Sequence, residues 1–450
     1  MRIGLIAPPW IPVPPPAYGG TEEVIDNLAR GLTALGNDVR LFTVGESTCP
    51  VSRRWLYRSP AEPMGDHFRE AAHVLAAYQA LADTDIIHDH TDLGPPLAGR
   101  RGISHPPIVT TIHGPVTSRN GRTLAEAARH ASIVAISRAH ARSFGDIPVE
   151  AVIHHGIDLD AYTPGPGTGG YLLFVGRMSP DKGVHHAVRV ARRAGWPLVL
   201  TAKIREPAER AYFDQQVRPL LGSDDDMLAE QPLAARVDLM RHAAALLNPI
   251  TWPEPFGLVM AQALATATPV LAFPNGAAPE IIDHGRTGYL CQDEDDMTAA
   301  AAHIGEIDRR QCRAAAEQRF SLARMAADYE RLYRAVFEHP GQITSGQTGT
   351  GTPLPRLPAV TPGPRMDSPR QACRQRDPRV LCYARTVTLH GVADLSKVLA
   401  IEPSGVVTLS ASASRPRSGS RSRSSQQPRC GGPACRHRDC QGRCSWPYGS

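Results

Sequence analysis

The sequence predicts an α/β protein with two doubly wound parallel-sheet domains, followed by a largely disordered C-terminal tail. Short β-branched runs alternate with amphipathic helical stretches from Met1 to about residue 160. A segment rich in proline and glycine, Thr163 to Gly170, interrupts this alternation, which restarts at Tyr171. Apolar periodicity ends near Glu338. Because strands that alternate with helices form parallel sheets covered on both faces, we expect two such domains in sequence.

The first predicted domain covers residues 1–163. Its first helix is expected at Thr21 to Leu35, with Thr21 as the N-cap and Gly36 as the stop, because apolar residues there recur at helical spacing. Six short apolar runs are candidate strands: Arg2 to Ala7, Val39 to Val44, Asp85 to His88, Ile108 to His113, Ile133 to Ile136 and Ala151 to His154.

The second predicted domain covers residues 164–319, and Thr163 to Gly170 is interpreted as an interdomain linker. A terminal amphipathic helix is expected at residues 320–338, and residues 339–450 form the tail. Four further runs are candidate strands: Tyr171 to Val175, Pro197 to Thr201, Ala245 to Asn248 and Pro269 to Phe273.

Composition is typical of a globular protein of the cytoplasm. The chain has 450 residues, of which 42% are apolar, and no apolar run is long enough to span a bilayer. The apolar run at the N-terminus is too short for a signal peptide. Only Cys49, Cys291 and Cys312 precede the tail, which fits a reducing compartment.

The tail differs from the rest of the chain in charge. From His339 onward there are 15 Arg, one Lys and five acidic residues, so the net charge of +5 leaves residues 1–338 at about −6. One hypothesis is that the tail is a GC-rich reading frame translated out of phase. A genuine basic tail that contacts a membrane surface is an alternative, and no nucleic-acid partner is expected. The spacing of its cysteines does not favour zinc.

The run from Pro253 to Leu264 carries the clearest functional signal. The pattern predicts a loop that carries a carboxylate, Glu254, followed by the N-terminus of a helix. Gln262 lies eight positions later, about two helical turns into that helix. This arrangement suits an anionic, hydroxyl-rich ligand such as a nucleotide-sugar.

Two cations and two glycines are further candidates. Arg177 follows a predicted strand directly, and Lys182 opens the next helix, so both lie where parallel strands end and a diphosphate is bound. Gly19 and Gly20 lie between a predicted strand and helix, where the backbone can approach a ligand closely. Considered alone, the two cations have an ordinary alternative as solvated surface charges, and the two glycines have one as a turn.

The order of the motifs resembles that of the bacterial family 4 glycosyltransferases, retaining enzymes of the GT-B fold, in which two Rossmann-like domains face each other across a cleft. The resemblance covers residues 1 to about 338. It rests on Ala7-Pro8-Pro9-Trp10, Tyr18-Gly19-Gly20-Thr21-Glu22, Ile86-Ile87-His88-Asp89-His90, Thr111-Ile112-His113-Gly114-Pro115, His155-Gly156-Ile157-Asp158, Val175-Gly176-Arg177, Asp181-Lys182-Gly183 and Pro253 to Leu264.

The resemblance implies a role for each candidate residue. Glu254 contacts the donor sugar, and Gly19 and Gly20 lie against its phosphate or sugar. Arg177 and Lys182 neutralise the departing nucleoside diphosphate. His113 lies near the reacting sugar as a hydrogen-bonding group. The N–H groups of three residues at the helix start, Phe256, Gly257 and Leu258, face the donor.

Gln262 departs from the family pattern, which has a second glutamate here. An amide accepts a hydrogen bond through one end and donates through the other, whereas a carboxylate only accepts. We expect a loss of about 1–2 kcal/mol in donor affinity, and Gln262→Glu to tighten the nucleotide-sugar roughly tenfold.

The expected activity is transfer of a hexose from a UDP-glucose or GDP-mannose type donor to a hydroxyl of a small-molecule, glycan or lipid acceptor, with retention. No cofactor and no metal are expected, because His88 and His90 have no evident third ligand. Peripheral association with a membrane surface is compatible with these features. Two alternatives remain: a catalytically silent nucleotide-sugar binding protein, and a GT-B nucleotide-sugar epimerase.

Overall fold

The computed structural model describes residues 1–98 and 105–339, together with the backbone of residues 400–401 and 407–408. Two parallel sheets, each flanked by helices, make up residues 1–98 and 105–339. The predicted α/β class with two doubly wound sheets is therefore confirmed.

The first sheet has seven parallel strands in the order β3-β2-β1-β4-β5-β6-β7. Its strands are β1 Arg2–Ile6, β2 Asp38–Thr43, β3 Ser52–Trp55, β4 Ile86–Asp89, β5 Ile108–Thr111, β6 Ser132–Ala135 and β7 Ala151–Val152. The helices of this part are α1 Gly20–Ala34, α2 His67–Ala80, α3 Gly94–Ala98, α4 Gly121–Ala127 and α5 Arg138–Ser143.

The second sheet has six parallel strands in the order β10-β9-β8-β11-β12-β13. Its strands are β8 Leu172–Arg177, β9 Leu198–Lys203, β10 Asp226–Leu228, β11 Ala245–Asn248, β12 Val270–Ala272 and β13 Gly288–Leu290. The helices are α6 Val184–Ala194, α7 Pro207–Tyr212, α8 Leu233–His242, α9 Leu258–Ala265, α10 Ala278–Ile281, α11 Glu294–Ala302, α12 Arg309–Phe320 and α13 Leu322–Glu338. Short 3-10 turns lie at Pro180–Lys182, Arg218–Leu220 and Ile304–Glu306, and a π-helical turn lies at Phe213–Val217.

Three strands of the two parallel sheets were not predicted from the sequence. All four residues of β3 are exposed, so it has no apolar run to reveal it. Strands β10 and β13 have three residues each, which is too short to establish alternation. All three lie at sheet edges, where a strand has only one neighbour.

The start of α1 differs from the prediction. Gly19, not Thr21, is the N-cap, and no side chain caps this end of the helix. A Cβ at Gly19 would lie 2.6 Å from Cβ of Pro15, so packing against that proline excludes any larger residue. The backbone N–H groups of the first turn therefore have no capping side chain at this end of the helix.

The predicted linker is fixed to the second domain. The N–H groups of Gly165, Gly167 and Gly169 donate to the carbonyl groups of Thr266, Arg241 and His242 at 2.9–3.1 Å. The segment is therefore not a flexible tether, although its composition is typical of one.

Helix α13 begins at Leu322 with Ser321 as its N-cap, and α12 ends at Phe320. It returns to the first domain, where Tyr329 and Tyr333 are buried in the same core as Ile3 of β1. The chain crosses between the domains beside its earlier crossing, since Ile157 N–H donates to the Phe320 carbonyl group at 2.7 Å.

Within the tail the described residues form one antiparallel pair, β14 Ala400–Ile401 and β15 Val407–Thr408, in a unit of its own. The rest of the tail, including the predicted disorder and the cysteines, lies outside the described residues. Among the helices of the described ranges, none is long and apolar enough to cross a bilayer.

Candidate active site

A cleft of about 420 Å³ lies between the two sheets, at the carboxyl ends of strands from both. All ten residues that the sequence singled out line it: His113, Glu254, Arg177, Lys182, Gly19, Gly20, Phe256, Gly257, Leu258 and Gln262. Residues more than 200 positions apart in the chain thus meet in one site, as expected for the open edges of parallel sheets.

Lys182 and Glu254 form a largely buried ion pair on the second domain's side of the cleft. Lys182 Nζ donates to Glu254 Oε2 at 2.5 Å, and the two side chains are 16% and 14% exposed. The ammonium group also lies 5.4 Å from the ring centre of Trp252, a cation–π distance that no sequence pattern indicates.

A glycine makes this pair possible. Gly183 ends the 3-10 turn of Lys182 with a left-handed φ of 71°, and a Cβ there would lie 2.0 Å from the Pro249 carbonyl oxygen. Gly276 supports Glu254 in the same way, because a Cβ at Gly276 would lie 2.2 Å from the Glu254 carbonyl oxygen. Both turns therefore require glycine for close backbone packing.

Arg177 ends β8 and is the more accessible cation. Its guanidinium donates to Asp181 Oδ2 at 3.3 Å, and the side chain is 40% exposed. The buried Nε has no hydrogen-bond partner among the described residues. Among the described residues only Nη2 of this guanidinium is hydrogen-bonded, so Arg177, which lines the cleft, retains donors for a ligand.

Two helix N-termini from different domains meet in the cleft. Helix α9 starts after Gly257, whose φ is 85°, and α1 starts after Gly19. Neither end has a side-chain cap, and a Cβ on Gly20 would lie 3.8 Å from Leu258 Cδ2. Because the N-terminal ends of helices attract anions, this corner favours a bound phosphate or carboxylate.

His113 follows β5 and belongs to a row of imidazoles. His90 Nδ1 and His113 Nε2 are 2.9 Å apart, and the His113 ring stacks on His155 with centres 5.2 Å apart. Burial, together with a smaller contribution from His140, lowers the pKa of His113 to about 3. His113 is therefore a neutral hydrogen-bonding group at pH 7.

The Gln262 side chain is hydrogen-bonded to a residue of the opposite domain. Its Nε2 donates to Oε1 of Glu23, on α1, at 2.8 Å, and Gln262 is buried. Glu23 also accepts from Tyr162 and Arg236. Sequence reasoning missed Glu23 and Arg236 as site residues, because a contact between domains leaves no local pattern.

Glu22 is a second acidic residue that sequence reasoning missed. It lines the cleft on the first turn of α1 and is only 5% exposed. Burial raises the pKa of Glu22 to about 7, although the hydrogen bond from its own backbone N–H lowers it in part. At neutral pH this group is partly protonated.

Glu230, after β10, links the second domain to the glycine loop of the first. Its Oε1 accepts from the Tyr18 backbone N–H at 2.5 Å, and its Oε2 accepts from Arg205 at 2.6 Å. Lys203 Nζ lies 5.9 Å from the Tyr18 ring centre. These contacts hold the loop of Gly19 over the second sheet.

A metal site at His88, Asp89 and His90 is the less favoured interpretation of that segment. His88 contacts Tyr333 and Thr111, at 2.6 and 2.8 Å. In residues 1–98 and 105–339, no group of three or more His, Cys, Asp or Glu side chains is arranged to hold a metal ion. Independence from metals remains a prediction.

Two protein families match this chain. The family described as Glycosyltransferase Family 4 matches residues 18–161, and Glycosyl transferases group 1 matches residues 163–319. The chain is 26% identical over 422 residues to glycogen synthase of Mycobacterium tuberculosis, covering 80% of this chain and 98% of that one. It is 24% identical over 383 residues to phosphatidyl-myo-inositol mannosyltransferase of Mycobacterium leprae, covering 75% and 97%.

Solved structures share the architecture. The glycosyltransferase AviGT4, involved in avilamycin A biosynthesis, superimposes with a TM-score of 0.59 at 25% identity, over 75% of this chain and 98% of that one. Alr3699/HepE of Anabaena, solved in complex with UDP and glucose, superimposes with a TM-score of 0.61 at 20% identity, over 74% and 100%.

Two facing α/β domains with this cleft between them define the GT-B architecture, which AviGT4 shares. With both of its domains matched, the chain belongs to the family 4 glycosyltransferases. The resemblance inferred from the motifs is thereby confirmed.

Proposed function

We propose that this glycosyltransferase moves a hexosyl group from a nucleoside diphosphate sugar to an acceptor hydroxyl, with retention at the anomeric carbon. The observation that carries the proposal is the meeting of Arg177, Lys182 and Glu254 with the N-termini of α1 and α9 in one cleft. Cations and helix ends suit a diphosphate, and a carboxylate suits sugar hydroxyls.

The departing group is the nucleoside diphosphate. When the bond from the anomeric carbon to the phosphate oxygen breaks, the electron pair goes to that oxygen. Arg177 can offer the phosphate two donors from its planar group, and Lys182 contributes a compact positive charge. The uncapped N-termini of α1 and α9 add fixed positive potential, so the site stabilises charge that develops during the reaction.

The sugar is bound by Glu254, the carboxylate partner of Lys182. Glu254 takes a hydrogen bond from Lys182 through Oε2, and its other oxygen remains as an acceptor for sugar hydroxyls. His113, neutral at pH 7, offers a hydrogen bond without placing positive charge beside a cationic sugar.

Retention in one displacement requires the acceptor oxygen to bond to the anomeric carbon on the face from which the phosphate departs. The acceptor proton then passes to the released phosphate oxygen. The first domain, through residues such as Trp10 and His113, would hold the acceptor. UDP-glucose and GDP-mannose are the proposed donor types, in keeping with the UDP and glucose complex of Alr3699/HepE and the mannosyltransferase relative.

The test uses the purified full chain with UDP-glucose and with GDP-mannose. We expect one of them to bind, and nucleoside diphosphate to be released faster with a productive acceptor present. Proton NMR of the product would show whether the anomeric configuration of the donor is kept. Binding without release or transfer, across a broad acceptor panel, would support the silent binding protein instead; an inverted product would contradict retention.

A further inference from the structure

Glu23 and Gln262 form a polar pair across the cleft, at the place where α1 of the first domain meets α9 of the second. Gln262 Nε2 donates to Glu23 Oε1 at 2.8 Å. Gln262 is 4% exposed, and the Glu23 side chain is 16% exposed. A buried hydrogen bond to a carboxylate contributes more than an exposed one and costs more when one partner is removed.

The carboxylate of Glu23 also accepts hydrogen bonds from two other side chains. Tyr162 donates its hydroxyl proton to Oε1 at 2.8 Å, and Arg236 donates to Oε2 at 3.2 Å. The Arg236 side chain is only 12% exposed, and it also donates to the Tyr162 hydroxyl oxygen at 3.1 Å. The largely buried Arg236 guanidinium is therefore the cation paired with Glu23, and it is also influenced by Glu230, which forms its own ion pair with Arg205.

A second carboxylate at position 262 would disturb this balance. Two negative groups about 3 Å apart cannot both stay ionised without further positive charge. An amide avoids the conflict, because its nitrogen donates to Glu23 while its oxygen remains an acceptor. The hydrogen bond thus also fixes which end of the amide points at α1.

The oxygen of Gln262 has no hydrogen bond among residues 1–98 and 105–339, and Gln262 lines the cleft. We propose that Glu23 is a positioning residue: it holds the Gln262 amide with its oxygen available to a ligand hydroxyl, and so makes glutamine the fitting residue at 262. The pair then couples ligand binding to contact between the domains. The ligand part of this inference rests on the proposed function.

This proposal changes the expected result of Gln262→Glu. If only the ligand is considered, the added carboxylate should strengthen donor binding. Because it lies beside Glu23, we instead expect it to weaken both donor binding and the contact between the domains. Exchanging both residues restores one carboxylate and one amide, with the amide at position 23 now donating to the carboxylate at position 262. The double variant is therefore the informative one.

The first experiment is a cycle of thermal unfolding on the full chain without ligand, using E23Q, Q262E and E23Q/Q262E. We expect Q262E to lower Tm by about 2 °C or more, and the exchange to recover at least half of that loss. Gln231 is a matched control, since it lines the same cleft but donates to the Ala229 carbonyl group. Q231E should not be rescued by E23Q.

The second experiment measures the Kd of UDP by calorimetry for the same variants. We expect E23Q to weaken UDP binding about threefold to tenfold, and the exchange to return it to within about threefold of the unmodified chain. If the Tm shift of the double variant equals the sum of the shifts of E23Q and Q262E, the pairing of Glu23 with Gln262 is contradicted. Coupled shifts in Tm with an unchanged Kd in E23Q would overturn the positioning role, as would tighter UDP binding by Q262E.

The two experiments separate this proposal from the proposed function. The unfolding cycle needs no ligand, so it decides the pairing even if UDP fails to bind. Failure of the unmodified chain to bind UDP or any nucleoside diphosphate sugar would contradict the proposed function and the ligand role of Gln262 together, while leaving the Tm result to stand for the pair.

Discussion

The ammonium group of Lys182 and the carboxylate of Glu254 are 2.5 Å apart, although 72 positions separate them in the chain. The pair joins the turn after β8 to the loop before α9. Each partner thereby fixes the other beside the helix end where the phosphate is proposed to lie.

We expect Lys182→Met to reduce kcat/KM about 10²- to 10³-fold, because a charge that stabilises the leaving phosphate is lost. Steady-state kinetics with the donor that proves active would measure this. Arg129→Met is the control, since that side chain is 74% exposed on the first domain and should have no effect. Equal losses in the two variants would argue against a specific role for Lys182.

Gly183→Ala tests the close packing beneath Lys182. The new methyl group would meet the Pro249 carbonyl oxygen and strain a left-handed backbone, so we expect a loss of more than about 3 kcal/mol in the free energy of unfolding, together with a higher donor KM. Gly195 has a similar φ of 70° with no atom near its Cβ position. Gly195→Ala should cost only about 1–2 kcal/mol in urea unfolding. Similar losses at both sites would show that the contact with Pro249 contributes nothing.

The buried histidines predict sensitivity to acid. Burial lowers the pKa of His113 to about 3 and that of His140 to about 4, and it lowers those of His90 and His155 well below the usual value. The unfolded chain therefore binds more protons as pH falls below about 6.5, and stability is lost in that direction, by up to about 1.4 kcal/mol per pH unit for each group.

Urea unfolding between pH 7 and pH 5 measures this slope. We expect His113→Asn to flatten it and His303→Asn, at an exposed site, to leave it unchanged. An unfolding free energy that does not decrease toward pH 5 would contradict the burial of these neutral imidazoles.

Glu22 should respond to pH in the opposite direction. Its folded pKa of about 7 lies above its unfolded value, so ionisation destabilises the fold as pH rises. Glu22→Gln should gain about 2–3 kcal/mol relative to the unmodified chain at pH 8, and little at pH 4. Glu126→Gln, half exposed on α4, is the control in thermal unfolding at the two pH values. An equal gain in stability at pH 4 and pH 8 would rule out ionisation of Glu22 as the cause.

The sequence predicted the buried strands well because apolar runs mark them directly. The meeting of the candidate residues in one cleft was also predictable, since Arg177, Lys182 and Glu254 lie at or after the ends of strands that share one sheet edge; their roles remain predictions. Edge strands such as β3 were missed because an exposed strand carries no apolar signal.

The partners of the site residues were beyond sequence reasoning. Glu23, Arg236 and Glu230 act across the cleft, and their positions depend on how two domains meet. Composition also misled in one place: Thr163 to Gly170 has the residues of a flexible linker, yet its backbone N–H groups are bonded to the second domain. Local sequence describes local preference, and these contacts are not local.

The return of α13 to the first domain makes that domain discontinuous in sequence. Tyr329 and Tyr333 complete the core around Ile3, and their hydroxyl groups contact Thr111 and His88. A fragment that stops near residue 163 would leave this core open to water. Any hybrid enzyme that exchanges donor domains with a relative should therefore keep residues 322–338 with the N-terminal half, since the last helix belongs to the domain where the chain began.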